Sequence, residues 1–213
     1  MFERLEHAVE RGRDLGASYV ELRGEDGFLE FLQMDDGRVN ALTQRIERGV
    51  AIRVLADGAW GFVSTGKVDD LDGAVKEAYS IAKAAARTRK HEISLADVKA
   101  YQEVIELKVD RDPRDVPIEE KIAYMEDMTK AIRDYDERIT AVTVKVRTAS
   151  GSKYLVTSDG ARIRSPIMLV WSYPWVTGKE KGQLSAARHE DASTHRGWEH
   201  MDEVATPEHM AEQ

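Results

Sequence analysis

Between Arg48 and Gly66 the chain reads RGVAIRVLADGAWGFVSTG. Val50, Ile52 and Val54 alternate with Ala51, Arg53 and Leu55. After Asp57-Gly58, Trp60, Phe62 and Ser64 alternate with Gly61 and Val63. Alternation on both sides of Asp-Gly predicts a β-hairpin, because a two-residue turn needs positive φ and glycine adopts it without strain. Leu71, Ala74, Val75, Ala78, Ile81, Ala82 and Ala85 then recur at helical spacing. Asp69, Asp70 and Asp72 crowd the start of this helix and Arg87, Arg89 and Lys90 its end, the arrangement the helix dipole favours. Its many alanines imply close approach to a sheet.

The same patterns recur elsewhere. Phe2, Leu5, Ala8 and Val9 mark a first helix, stopped by Gly16. Ser18–Arg23, Phe28–Met34 and Val39–Ile46 read as strands separated by turns at Glu25-Asp26-Gly27 and Asp35-Asp36-Gly37. His91–Ala100 has little pattern, Tyr101–Val109 reads as a strand, and Asp110–Pro117 as a loop. Pro117 suits the first position of a second long helix, marked by Ile118, Ile122, Met125, Met128 and Ile132. These methionines read as core packing rather than ligands. From Ile139 the period returns to two: Val142, Val144 and Val146, a turn at Ser150-Gly151, a strand from Lys153 to Thr157, and a turn at Ser158-Asp159-Gly160.

A long strand follows from Ala161 to Tyr173. Pro166 and Pro174 assign it to an edge or a bulge, since proline cannot donate to the ladder. Gln183–Arg188 can pair back on it through Gly178–Gly182. Residues 189–213 are polar and acidic, with a helix start at Thr206-Pro207-Glu208. Short strands joined by tight turns predict antiparallel pairing. The expected fold class is α+β, with a mostly antiparallel sheet or sheets packed against two long amphipathic helices.

Composition narrows the function classes. The 213 residues carry a formal net charge of -8, which argues against general nucleic-acid binding. There is no cysteine, hence no disulfide framework, thiolate zinc site or cysteine nucleophile. The amino end is charged throughout, unlike a signal peptide, and no apolar run approaches the ~18–20 residues of a membrane span. A cytoplasmic protein is expected. Charge is unevenly spread, however. Arg138, Lys145, Arg147, Lys153, Arg162, Arg164, Lys179, Lys181 and Arg188 meet only Asp159 and Glu180 in the same stretch. This is a solvated or subunit-matched strand face, or a surface for an acidic partner.

Candidate chemistry is sparse. His189, His195, His200 and His209, with Glu190 and Glu199, are the first suspects for a metal site. A zinc peptidase of the HExxH kind needs two histidines one helical turn apart. His189-Glu190 begins such a phrase, but His195 would lie about 120° off a shared helical face. His91-Glu92 is an isolated pair. Ser64-Thr65 and Ser158 sit beside turn glycines, no GxSxG phrase occurs, and Gly58, Gly61 and Gly66 fit a hairpin rather than a phosphate loop. Trp171, Tyr173 and Trp175 form either a stacking or peptide-contact platform or the packed face of a strand.

The order of these phrases resembles the amino-terminal domain of the TldD/PmbA family, metallopeptidases also described as modulators of DNA gyrase. The resemblance is carried by RGVAIRVLADGAWGFVSTG with the following VDDLDGAVKEAYSIAKAAA, by VPIEEKIAYMEDM with its Glu120-Lys121 pair, and by RGWEHMDEVATPEHMAEQ with its Gly-x-Glu phrase. It implies a longer, two-domain protein, in which residues 1–188 are the amino-terminal α+β domain and 189–213 a linker with the start of the metal-binding domain. That domain would supply an HExxxH helix and a cysteine as ligands to zinc. Thr194 stands where the second histidine should be. No catalytic or metal-binding residue is therefore assigned within this chain, no cofactor is expected in it, and its substrate-binding residues stay undefined. The resemblance also implies homodimers or heterodimers with a paralogue, enclosing a cavity for peptides or unfolded segments. No nucleic-acid or membrane partner is expected. The other readings are a stand-alone module that binds peptides or partners through an exposed sheet edge, and an RNA-binding sheet, for which no RNP-like aromatic phrase is present.

Overall fold

A computed structural model describes residues 1–213. The fold is α+β: eight strands in one sheet, mostly antiparallel, with five helices. The elements are α1 (Phe2–Asp14), β1 (Tyr19–Asp35), β2 (Arg38–Ala56), β3 (Ala59–Thr65), α2 (Leu71–Ala86), β4 (Gln102–Val104), α3 (Ile118–Tyr135), β5 (Ile139–Thr157), β6 (Arg162–Glu180), β7 (Gln183–Arg188), β8 (Asp191–Ser193), α4 (Glu199–Glu203) and α5 (Pro207–Glu212). The strands order as β3-β2-β1-β5-β6-β4, with β7 and β8 also pairing with β6. β2/β3, β6/β7 and β6/β8 are antiparallel, and β4 runs parallel to β6. No helix is long and apolar enough to cross a membrane.

The tight turns fall where glycine marks them. Asp36-Gly37, Asp57-Gly58 and Lys181-Gly182 each hold two consecutive residues at positive φ, and Gly160 turns at φ 97°. Two expected turns do not form. Glu25-Asp26-Gly27 lies inside β1, and Ser150-Gly151 inside β5. Neither Gly27 nor Gly151 adopts positive φ. A glycine flanked by paired strand simply continues it, and the two strands that carry these glycines, β1 and β5, pair with each other across more than a hundred residues. The segments Ser18–Arg23 and Phe28–Met34 are therefore one strand of 17 residues, and β2 likewise runs through Arg48-Gly49. Only Gln102–Val104 of the Tyr101–Val109 segment becomes strand. β6 extends to Glu180 with both prolines inside it. Its outer edge is covered piecewise, by β4 along Arg162–Arg164, β8 along Val170–Ser172 and β7 along Trp175–Glu180. Pro166 and Pro174 fall at the residues left uncovered, where a missing N–H costs nothing.

The chain divides into two compact units. The first comprises Met1–Asp26, Glu47–Glu106 and Ser152–Pro166. Its core joins Leu5, Ala8 and Val9 of α1, Leu71, Val75 and Ala78 of α2, and Val20, Leu22, Val50, Ile52, Val54 and Val156 of the strands. Small residues let α2 lie almost on the sheet. A Cβ built on Gly61 of β3 would stand 1.8 Å from the Ala78 carbonyl oxygen.

The second unit comprises Gly27–Ile46, Leu107–Gly151 and Ile167–Gln213. Its core gathers Met125, Met128 and Ile132 of α3, Leu32 and Met34 of β1, Val142, Val144 and Val146 of β5, and Val170 of β6. The methionines pack as core. Residues 189–213, read from the sequence as linker, contribute Trp198, Met201, Ala205 and Met210 to this core. Trp198 meets Tyr124 edge-on at 5.6 Å, and the Tyr124 hydroxyl donates to Ala205 O at 2.7 Å. Helices of five and six residues are too short to display a period of 3.6, which is why the sequence reads as patternless there.

Candidate functional site in the second unit

The strands of the second unit sort their side chains by parity. Leu32 and Met34 on β1, Val142, Val144 and Val146 on β5, and Val170 and Ser172 on β6 point to the core. The alternate positions form the opposite face: Phe31, Gln33 and Asp35, then Thr143, Lys145 and Arg147, then Trp171, Tyr173 and Trp175. The aromatic triplet is not core. Trp171 and Tyr173 are partly exposed, and Trp175 is 40% exposed.

This face is a ladder of rings and cations. Trp171 and Tyr173 stack at 5.3 Å with 15° between planes, and Trp175 lies 6.4 Å beyond. Residues two apart on one strand share a face, which brings the rings together. Lys145 stands 5.7 Å from the Tyr173 ring, Arg147 5.6 Å from Trp171 and 5.9 Å from Phe31, and Arg188 of β7 5.9 Å from Trp175. Such contacts hold cations over negative ring faces without neutralising them. Lys145, Arg147 and Arg188 have no carboxylate in salt-bridge range, and Arg188 reaches only the Tyr173 hydroxyl, at 3.4 Å.

Two carboxylates border the ladder, each already engaged. Glu190 accepts from Trp171 Nε1 at 2.6 Å. Asp35 accepts from Thr143 at 2.8 Å, Gln33 at 3.1 Å and Asn40 at 2.5 Å. The Thr143 hydroxyl holds Asp35 below the usual carboxylate range; burial opposes it, and Gln33, Asn40 and Lys145 reinforce it.

Beside β1, the edge of the sheet is open. β3 pairs with β2 only along Val50–Ala56, so Arg38–Ile46 have β1 on one side and no strand on the other. Val39, Leu42 and Ile46 are 44%, 46% and 74% exposed there. An edge of this kind offers unpaired N–H and C=O groups to an extended chain.

The remaining candidates resolve into structural roles. Glu120 pairs with Arg111 at 2.5 Å, whereas Lys121 turns inward to the buried Glu30. In the Gly-x-Glu phrase, Glu199 accepts from Gly197 N at 2.7 Å and Arg111 N at 3.0 Å. Burial pushes its carboxyl upward, but the N–H groups of Gly197, Glu199, Arg111 and Asp110 outweigh burial and leave its pKa lowered. A Cβ on Gly197 would stand 2.1 Å from Arg111 O, so glycine is required for that approach. Ser158 Oγ accepts from Val20 N at 3.0 Å, a structural contact of the first unit. A cavity of about 780 Å³ lies under the β6–β7 hairpin, lined in part by Ile132, Tyr135, Ile139, Leu184 and Met210. On its rim Arg138 bonds Asp136 and Glu180.

The histidines do not converge. His200 Nε2 lies 2.6 Å from Asp191, with Nδ1 buried and without a protein partner. His195 meets Thr194 at 3.1 Å, and His209 is exposed on α5. No three His, Cys, Asp or Glu side chains come together as metal ligands. The residues present therefore do not fit a resident metal.

Comparison with known proteins places this surface in context. A metalloprotease of Methanocaldococcus jannaschii is 29% identical over 184 residues, spanning 85% of this chain and 39% of that protein. A metalloprotease of Synechocystis is 25% identical over 145 residues, spanning 68% of this chain and 31% of that one. The fold matches a proposed modulator of a DNA gyrase from Thermotoga maritima with a TM-score of 0.78 at 18% identity, covering 99% of this chain and 46% of that one. TldE from Thermococcus kodakarensis matches with a TM-score of 0.76 at 14% identity, covering 98% and 46%. The chain thus spans less than half the length of these relatives. Residues 20–82 match the model of PmbA/TldA metallopeptidase domain 1, and residues 111–213 match that of the central domain of the same family. With both of its successive domains matched in order, the chain belongs to the TldD/PmbA metallopeptidase family.

Proposed function

We propose that this chain is the substrate-enclosing and dimer-forming amino-terminal part of a TldD/PmbA-type metallopeptidase that acts on peptides or unfolded segments in the cytoplasm. The metal, zinc in this reading, and the groups that cleave the peptide belong to the remainder of the full-length protein. The chain alone is inactive, and its partner is a second copy or a paralogue. In the second unit α3 packs its apolar stripe on the sheet and leaves the β2 edge to substrate.

The observation that carries this reading is the open edge at Arg38–Ile46. An extended substrate would pair with it by main-chain hydrogen bonds, which suits a protein that must accept many sequences. A stand-alone peptide-binding module would use the same edge, and dimerisation separates the two readings.

Consecutive residues of an antiparallel strand send their N–H groups to opposite sides. One of Leu42→Pro and Thr43→Pro must therefore remove an outward N–H while sparing the pairing with β1. That variant is expected to stay folded and to lose about ten-fold in affinity for an unstructured neutral peptide, read by fluorescence anisotropy, as expected for about one to two hydrogen bonds. The other is expected to lose stability instead. Unchanged peptide affinity in both variants, or metal-dependent peptide cleavage by residues 1–213 alone, would overturn the proposal. Light scattering that finds only monomer, alone and with a paralogue, would favour the stand-alone module.

A further inference from the structure

The ring-and-cation face lies on β5, β6 and β7, separated from the open β2 edge by β1, and strand addition makes no use of it. Its three cations are held in place by rings yet none has a carboxylate within salt-bridge range, on a protein whose formal net charge is -8. Desolvating an unpaired cation against a ring is worthwhile only while the charge keeps water or finds an anion. Acidic residues elsewhere are used freely for ion pairs, for example Asp26 with Arg48, Asp57 with Lys83 and Glu6 with Arg162. Around Lys145, Arg147 and Arg188 none comes within ion-pair distance, and the two that border the ladder, Asp35 and Glu190, are engaged by Thr143, Gln33 and Asn40 and by Trp171.

We propose that this face is a docking site for an acidic polypeptide segment, whose Asp and Glu side chains pair with Lys145, Arg147 and Arg188 while its apolar groups lie on Trp171, Tyr173 and Trp175. The spacing suits an extended chain crossing the strands, because the cations sit on β5 and β7 with the rings of β6 between them. A single-stranded nucleic acid is the competing anion. Its bases would need ring faces that Trp171 and Tyr173 already present to each other and to the cations, and its polyphosphate would meet the overall negative charge.

The test measures anisotropy of labelled unstructured peptides of matched length on residues 1–213: one rich in Asp and Glu, one in Ser and Gly, and one in Lys and Arg, with polyuridylate alongside. The acidic peptide is expected to bind about ten-fold more tightly than the neutral one, the sum of three partly exposed ion pairs, and to lose that preference at high salt. Combined Lys145→Met, Arg147→Met and Arg188→Met should abolish the preference and leave neutral-peptide affinity unchanged. Should the triple variant fail to fold, Arg188→Glu on the exposed hairpin should halve or further reduce the preference. Equal affinity for acidic and neutral peptides, tighter binding of polyuridylate than of the acidic peptide, or a preference that survives the substitutions would overturn the proposal. Absence of neutral-peptide binding contradicts the strand-addition reading alone.

Discussion

Replacing Gly61 by alanine is expected to cost about 3–5 kcal/mol, more than ordinary overpacking, because backbone rather than a flexible side chain stands in the way. The new methyl would lie 1.8 Å from Ala78 O, 2.7 Å from Ala82 N and 2.9 Å from Ala78 C. None of these atoms can rotate aside. The whole of α2 would have to lift from β3, uncovering Val75, Ala78 and Ala82, all buried. Alanine at 78 and 82 and glycine at 61 are thus one device, small residues on both surfaces that let helix and strand approach. The loss should appear in thermal unfolding followed by circular dichroism. A variant melting within a few degrees of the parent would show that α2 can retreat freely.

Lys121→Ala is expected to destabilise the second unit by about 3–5 kcal/mol, the usual result of removing one partner of a buried ion pair. Lys121 and Glu30 are 2% and 1% exposed at the side chain. Lys121 also donates to Pro113 O at 2.8 Å and lies 5.8 Å from the Trp198 ring. Glu30 accepts from Gln44 at 2.6 Å. With the lysine gone, a carboxylate is left in the core with one amide for company. Lys121→Met with Glu30→Leu should recover most of the loss, because apolar groups of similar volume avoid desolvating either charge. Urea unfolding followed by circular dichroism separates the outcomes. A single variant as stable as the parent would mean that water reaches Glu30.

The two cores differ in how far the sequence announced them. The β2–β3 hairpin was legible because its signals are local: alternation on both strands and a turn whose two residues carry the positive φ. Gly27 and Gly151 misled for the same reason. A glycine in a long strand is told apart from a turn glycine by its pairing on both sides, and for β1 and β5 one of those sides lies more than a hundred residues away. The core role of 189–213 was hidden by brevity, since Met201 and Met210 fall on helices of less than two turns and Trp198 and Ala205 just outside them.

The candidate site was half visible. Period two placed Trp171, Tyr173 and Trp175 on one face, but which face was settled only by Val170 and Ser172 packing under α3. The cations over the rings come from β5 and β7, and no local pattern links them to β6. Glu30 is the residue that parity could have found. It shares the alternation of Leu32 and Met34, which marks a carboxylate on a buried face. Its partner is 91 residues distant, so the pairing itself could come only from the fold.

The account turns on whether the second unit takes up an extended chain at its open edge. Amide hydrogen exchange on residues 1–213, with and without a saturating unstructured neutral peptide, tests this directly. Protection should rise at alternate residues of Arg38–Ile46 and stay unchanged along Val50–Ala56, where β3 already pairs. Protection that appears elsewhere in the chain while Arg38–Ile46 exchange as before would contradict it.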